Sequence, residues 1–214
     1  MILQGTGQSE REQLQAINGC LAWGIPWRFS RYPCNSKECH VGTVEWCQQA
    51  MGWEPVPDYY PEWLREWRHR YFIQTDRECV SEIDWFVKPE WGYKVGPTRI
   101  VRAGEMIPAR HWISEVVKFT QEWRYYVADG ELLAAGWYDG TDEAEPAPVL
   151  NIDWPTGWCG AADFGRLDDG RIAVVEVHHP YACGNYLEAE ECEAWVMWLE
   201  LGWQWTMKQK DVLR

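Results

Sequence analysis

Asp163-Phe-Gly-Arg-Leu-Asp-Asp-Gly170-Arg-Ile-Ala-Val-Val-Glu176-Val-His178 reads as two strands joined by a tight turn at Asp168-Asp169-Gly170. Asp-Gly between β-rich runs is a strong hairpin signal, because such turns need residues that tolerate positive φ. The second strand, Arg171 to Val177, is almost wholly apolar over Ile172-Ala-Val-Val175, which predicts burial. A carboxylate closing a buried apolar strand is costly to hold ionised unless a positive group meets it. Asp163 and Glu176 stand at the outer ends of the hairpin, and antiparallel pairing brings those ends together. Hard oxygen ligands converging on one point favour Mg²⁺ or Mn²⁺. A surface hairpin with solvated acids is the competing reading, and the rest of the chain decides between the two.

With 214 residues, 46% of them hydrophobic, the chain can bury a sizeable core as one large domain or two small ones. Seventeen Trp residues belong mostly to core or cleft walls, since each carries much apolar area and a single donor. The net charge of −13, without a basic block, argues against a nucleic-acid backbone as the main partner. A nucleotide held by a few local groups stays open. No 18-residue apolar run predicts a membrane span. Met1-Ile-Leu-Gln-Gly-Thr-Gly-Gln lacks a basic region followed by an apolar one, so no signal peptide is expected. The eight scattered Cys then read as reduced thiols of a cytoplasmic protein. Cys34, Cys39 and His40 offer a zinc-like set, but no second pair follows at finger spacing.

The N-terminal segment reads as β-α-β. Met1 to Gln4 is a strand. Ser9 with Glu12 forms a capping-box start for a helix over Glu10 to Trp23, with Leu14, Ile17, Leu21 and Ala22 as its apolar spacing and Gly24 as its stop. Ile25 to Tyr32 is the second strand. Gly5-Thr-Gly7 is a structural turn more than a phosphate loop, since it lacks a third Gly and an acidic ribose partner. Gly42-Thr43 opens a helix from Val44 to Met51. A Pro- and aromatic-rich loop follows, then a short helix with Trp63, Leu64 and Trp67 inward. Arg70 precedes the strand-like Tyr71-Phe-Ile, a position from which its side chain can enter a cleft.

Ile83 to Pro89 reads as a strand ending in Lys88-Pro89, followed by a glycine-containing basic tip with Gly92, Lys94 and Gly96, then a return strand from Thr98 to Arg102. Lys88 can neutralise a phosphate as a point charge, and backbone N–H groups at Gly92 and Gly96 can approach one. Ile113 onward reads as strand, break and a hairpin turning at Asp129-Gly130. Trp123, Tyr125 and Val127 share one strand face; Glu122, Arg124 and Tyr126 share the other. Glu122 and Arg124 together are either a structural ion pair or a polar site. Asp139 to Pro148 is a solvated acidic loop. A closing helix runs from about Leu187 to Gln204, with Trp195, Trp198, Leu199, Leu201 and Trp203 as its apolar face.

From about Gly42 to the C-terminus these residues resemble the ATP-grasp superfamily, most of all its compact phage and bacterial clade named for two arginines and a lysine. The marks are Phe86-Val-Lys-Pro89 with Lys94 and Gly96, Glu122-Trp-Arg124 with Asp129-Gly130, then Asp163 and Glu176. Four such motifs in this order are specific where each alone is weak. The resemblance implies an α+β fold in which two α+β subdomains grip a nucleotide, preceded by a shortened α/β unit. It implies that residues 1–75 form that unit, 76–112 the small lid subdomain and 113–214 the C-terminal subdomain with metal site and closing helix. It implies that Lys88 contacts the ATP phosphates, Glu115, Val116 and Val117 meet the adenine, and Glu122 holds the ribose. Asp163, Glu176 and His178 would hold Mg²⁺ or Mn²⁺. Arg124, Lys94 and Arg70 would serve the acylphosphate or phosphates, Arg70 replacing an upstream lysine of the family. One departure stands out: the family usually has Glu-X-Asn where this chain has Glu176-Val-His178, and a ring nitrogen suits Mg²⁺ less naturally than an amide oxygen.

The activity implied is an ATP-dependent carboxylate–amine or carboxylate–thiol ligase, working through an acylphosphate on an amino acid, peptide or small metabolite in a bacterium or phage-infected host. A non-catalytic nucleotide-binding or inhibitory protein that kept the fold is the second reading. A small metal sensor using Cys34–His40 and His178-His179 is the third.

Overall fold

In the computed structural model, residues 1–34, 36–56, 58–90, 98–140 and 143–212 are described. The N-terminal unit comprises β1 (Ile2–Gln4), α1 (Glu10–Trp23), β2 (Arg28–Ser30), β3 (His40–Val41) and α2 (Val44–Met51). β1 is the middle strand of a three-stranded parallel sheet. A parallel strand covered on both faces reads mainly as an apolar run, and Ile2 and Leu3 are wholly buried. Both helices follow their local signals. The Ser9 hydroxyl accepts from Glu12 N–H, the Thr43 hydroxyl accepts from Trp46 N–H, and Gly24 and Gly52 end the helices in the left-handed conformation.

The inward face of α1 differs from the expected one. Leu14 and Leu21 are 60% and 66% exposed, while Gln15, Ala16, Gly19 and Cys20 are buried. The reason is a close crossing by the C-terminal helix. A Cβ at Gly19 would lie 2.4 Å from Val196 Cγ2 and 2.6 Å from the Cys192 carbonyl oxygen. Only small residues permit that approach, so apolar spacing pointed to the wrong side. The second strand is also shorter than Ile25 to Tyr32.

A 3₁₀ turn over Glu62–Trp67 leads into β4 (Phe72–Thr75), β5 (Cys79–Val80), β6 (Trp85–Pro89), β7 (Arg99–Val101), β8 (Met106–Ile107) and β9 (His111–Glu115). Four of these form an antiparallel sheet in the order β4-β9-β6-β7. Val87, Val101, Ile107 and Ile113 supply its small core. β6 begins two residues later than the predicted Ile83. The basic tip with Gly92, Lys94 and Gly96 lies outside the described residues.

The second sheet contains β10 (Phe119–Ala128), β11 (Glu131–Gly140), β12 (Gly160–Leu167) and β13 (Ile172–His178), antiparallel in the order β11-β10-β12-β13. Both hairpins turn where their Asp-Gly pairs predict: Asp129 and Gly130 take φ of 54° and 79°, and Gly170 takes 85°. One face of the sheet is covered by α3 (Cys192–Val212). Trp198 Nε1 donates to the carbonyls of Val127 and Gly160, 3.0 Å to each, which ties the helix to β10 and β12. The other face buries Trp123, Tyr125, Phe164 and Val174 under Leu64 and a cluster of Trp63, Trp67, Trp154 and Trp158. Between Tyr126 and Val127 the β10–β11 pairing shifts register, with Leu133 as the extra residue on β11.

α3 starts five residues later than predicted and continues beyond Gln204. Upstream, Asn185 Oδ1 accepts from Leu187 N–H, and a 3₁₀ turn over Ala189–Glu191 then precedes the helix. Its inward stripe is Trp195, Trp198, Leu199, Gly202, Trp203 and Thr206, a consistent three-four spacing; Leu201 falls outside it and is 39% exposed. No helix among the described residues is long and apolar enough to cross a membrane.

Candidate functional site

The β12–β13 hairpin places Asp163 directly opposite Glu176. Nearer the turn, Phe164 pairs with Val174, so Val175 is an extra residue that breaks the ladder. This bulge turns Glu176 to the same sheet face as Asp163. His178, two residues further on, returns to that face as the strand period requires. The result is a cluster: His178 Nε2 lies 3.2 Å from Asp163 Oδ2 and 3.1 Å from Glu176 Oε1. One ligand atom from each of the three residues falls within 4.8 Å of the others. Two carboxylates and an imidazole are a chemically sound donor set for a divalent cation.

The neighbouring strand supplies the counter-charge. Arg124 is the cross-strand partner of Asp163 on β10. Its Nε donates to Oδ1 and its Nη2 to Oδ2, both at 2.7 Å. Asp163 is wholly buried and Arg124 is 7% exposed. Burial alone would raise the Asp163 pKa; the charge and hydrogen bonds of Arg124, with His178, outweigh it and hold the carboxyl well below the usual range. Tyr138 and Tyr186 flank the guanidinium, with ring centroids 5.5 and 5.1 Å from Cζ. Gly136, opposite Arg124, makes this possible: a Cβ there would lie 2.3 Å from the Tyr186 carbonyl oxygen. Burial pulls the His178 pKa down, against the pull of Asp163.

A cleft of about 490 Å³ opens beside this cluster, between the two sheets. Phe86, Ile100, Val116, Val117 and Phe119 give it an apolar wall, while Lys88, Arg70, Glu122 and Glu176 give it polar ends. Lys88 ion-pairs with Glu176, and its ammonium sits 4.4 Å from the centroid of the Tyr59 ring. Burial lowers the Lys88 pKa, and the carboxylates of Asp163 and Glu122 oppose it. Glu122 accepts a hydrogen bond from the Tyr138 hydroxyl. Burial raises the Glu122 pKa, and that bond moderates the rise.

Arg70 enters the cleft over the rings of Phe72 and Phe119, at 4.5 and 5.0 Å. Its Nη2 donates to the carbonyl of the bulged residue Val175 at 3.2 Å. Its Nε and Nη1 are buried and meet no acceptor in good hydrogen-bond geometry among the described residues, with the Tyr60 hydroxyl beside the guanidinium. A buried cation with unused donors on a cleft wall is costly without an anion to meet it. Glu115 makes a different contact: its carboxylate accepts from Tyr71 N–H at 2.9 Å, and its own N–H donates to the Tyr71 carbonyl. Glu115 thereby fixes the cleft's edge, and Val116 and Val117 present the following backbone.

The structure thus brings together Arg70, Lys88, Glu115, Val116, Val117, Glu122, Arg124, Asp163, Glu176 and His178. Lys94 lies outside the described residues. His179 turns away, its Nε2 3.4 Å from the Val56 carbonyl oxygen, and burial lowers its pKa to about 4. Cys34 and His40 meet at 3.6 Å, but Cys39 faces the opposite way and donates to Leu199 O, so the three do not converge. Tyr59, Tyr138 and Tyr186 join the site without having been singled out from the sequence. Tyr138 was accessible in principle, since the Asp129-Gly130 turn brings it back beside Glu122. Tyr59 sits in an aperiodic loop that carries no such signal.

The family model for the ATP-grasp domain, family 2 of the clade named for two arginines and a lysine, matches residues 67–192, more than half of the chain. A D-cycloserine synthetase superposes with a TM-score of 0.52 at 12% identity, over 93% of this chain and 97% of that one. A RimK-domain ATP-grasp protein from Sphaerobacter thermophilus gives 0.49 at 11% identity, over 94% and 98%. A D-alanine–D-alanine ligase from Bacillus anthracis complexed with ATP gives 0.47 at 12% identity, over 98% of each chain. No curated protein matches the chain in sequence.

Proposed function

Because this chain belongs to the ATP-grasp domain family, in family 2 of the two-arginine, one-lysine clade, we propose that it is an ATP-dependent ligase that joins a carboxylate to an amine or thiol. The observation that carries this reading is the meeting of three features in one cleft. An apolar slot and the cations Lys88 and Arg70 line it, and a divalent-ion donor set reaches it through Glu176.

In this reading the adenine lies against Phe86, Ile100 and Phe119, with its edge on the backbone of Glu115, Val116 and Val117, and Glu122 takes the ribose hydroxyls. Lys88 and the two unused donors of Arg70 face the phosphates. Asp163, Glu176 and His178 would hold a divalent ion, Mg²⁺ or Mn²⁺, whose charge supplements these cations. The substrate carboxylate attacks the γ-phosphorus, ADP leaves, and an amine or thiol then displaces phosphate from the acylphosphate. Negative charge is dispersed during phosphoryl transfer, so positioning and electrostatics carry most of the catalysis. Two of the three guanidinium nitrogens of Arg124 are committed to Asp163. Arg124 therefore acts first as a positioning residue, with Nη1 as the edge left for a substrate anion. Lys94 joins the phosphate-binding groups on its sequence position alone. The substrates are small molecules or peptides that bring a carboxylate and a nucleophile.

The test is calorimetric titration of Mg-ATP and Mn-ATP into wild type and Glu176→Gln. ADP release is then assayed with pooled amino acids, short peptides and amines. Metal-dependent binding lost in the variant, with substrate-stimulated ADP release, supports the ligase. Binding without release under any pool favours a nucleotide-binding protein without ligase chemistry. Absence of binding to folded wild type sinks the ATP reading.

A further inference from the structure

Asp163, Glu176 and His178 are the one group among the described residues that offers three metal-ligating side chains at a common point. One of those ligands is a ring nitrogen. Two ligands at right angles about an octahedral ion, each about 2.1 Å from it, are themselves about 3 Å apart. His178 Nε2 is 3.2 Å from Asp163 Oδ2 and 3.1 Å from Glu176 Oε1, so both pairs already stand near that separation. Asp163 is held in place by Arg124, which donates one N–H to each of its oxygens. Such an outer partner restrains the orientation of the ligand it holds.

We propose that this site selects a first-row transition-metal dication, of which Mn²⁺ is the probe, over Mg²⁺, and that His178 is the selecting ligand. The inference rests on the ATP-grasp reading of the cleft and goes beyond it by naming the ion. Mg²⁺ is hard, prefers oxygen and gives up water reluctantly, so an imidazole in place of an oxygen ligand weakens it. The same nitrogen strengthens binding of borderline dications.

The experiment is an electron paramagnetic resonance titration of metal-free protein with Mn²⁺, followed by Mg²⁺ competition, in wild type, His178→Asn and His178→Gln. Displacing Mn²⁺ from wild type should need at least roughly tenfold more Mg²⁺ than Mn²⁺, and the ratio should fall roughly tenfold in either variant. Pulsed measurements on wild type should detect a directly bound ¹⁴N, lost in the variants. The wild-type nitrogen signal is decisive even where a variant folds poorly. Bound Mn²⁺ without a nitrogen ligand, or equal affinity for both ions, overturns the inference. Nucleotide binding, measured separately by calorimetry, tells the two readings apart. Nucleotide binding without nitrogen ligation defeats the metal selection alone; nitrogen-ligated Mn²⁺ without nucleotide binding upholds the selection and defeats the ATP site.

Discussion

Lys88 on β6 and Glu176 on β13 form an ion pair across the cleft floor, and it joins the small sheet to the large one. The lysine therefore holds a carboxylate that a divalent ion would need. Lys88→Met should act in opposite directions on two ligands. Mg-ATP should bind roughly tenfold or more weakly, because a charged contact to phosphate is lost. Nucleotide-free Mn²⁺ should bind more tightly, because Glu176 is released. Parallel calorimetric titrations check both; weaker binding of both ligands would mean that Lys88 orders the metal site without competing with the ion.

The two acids of the hairpin should fail differently when neutralised. Asp163→Asn leaves a buried guanidinium without its partner, and breaking a buried pair costs about 3–5 kcal/mol. Glu176→Gln also unpairs a buried cation, but burial has lowered the Lys88 pKa to about 7, so that ammonium can shed its proton and the variant should cost less. Urea denaturation of the two variants measures the difference. Glu176→Gln is therefore the cleaner probe of metal-dependent nucleotide binding, since its fold should survive.

Arg70 carries two buried donors without a hydrogen-bond partner among the described residues, beside the Tyr60 hydroxyl. Arg70→Met removes their desolvation cost along with two ring contacts and one hydrogen bond to Val175. These terms offset, so stability should change by no more than about 1 kcal/mol. Mg-ATP affinity should drop roughly tenfold, while adenosine affinity stays close to wild type. Thermal unfolding together with titration of both ligands gives the answer, and equal losses for the two ligands would remove Arg70 from the phosphate end.

Gly19 is the contact point of α1 and α3. Gly19→Ala forces a methyl toward the Cys192 carbonyl and Val196, and overpacking of this kind costs about 1–3 kcal/mol even though alanine favours helix. Chemical denaturation decides it; a stabilised variant would mean that the helices part without penalty.

The elements legible in the sequence are those set by local chemistry. Ser9, Thr43, Gly24 and Gly52 mark their helix ends correctly, and both Asp-Gly turns fall where they should, because each signal acts within four or five residues. The Asp163–Glu176 convergence was legible only in part: the turn brings the strand ends together, but its count pairs Asp163 with Val175, and the bulge that sets Glu176 opposite Asp163 carries no sequence signal. The buried face of α1 was not, since it depends on how closely α3 approaches. The late start of α3 follows a 3₁₀ turn over Ala189–Glu191 that no apolar spacing announces, and the commitment of Arg124 to Asp163 depends on strand pairing between residues 39 positions apart. Tyr59 reaches Lys88 from a loop whose path no periodicity describes.

The Val175 bulge makes the hairpin's reading frame a shared property of both ends of the cleft. From the turn outward, every pair up to Phe164–Val174 obeys one count; Asp163–Glu176 obeys the next. A chain lacking only Val175 would still set Asp163 and the glutamate side by side, so the cation-binding end would survive. It would lose the carbonyl on which Arg70 rests. A single peptide unit thus links the placement of negative charge for an ion to the placement of positive charge for phosphates, and one codon is enough to uncouple them.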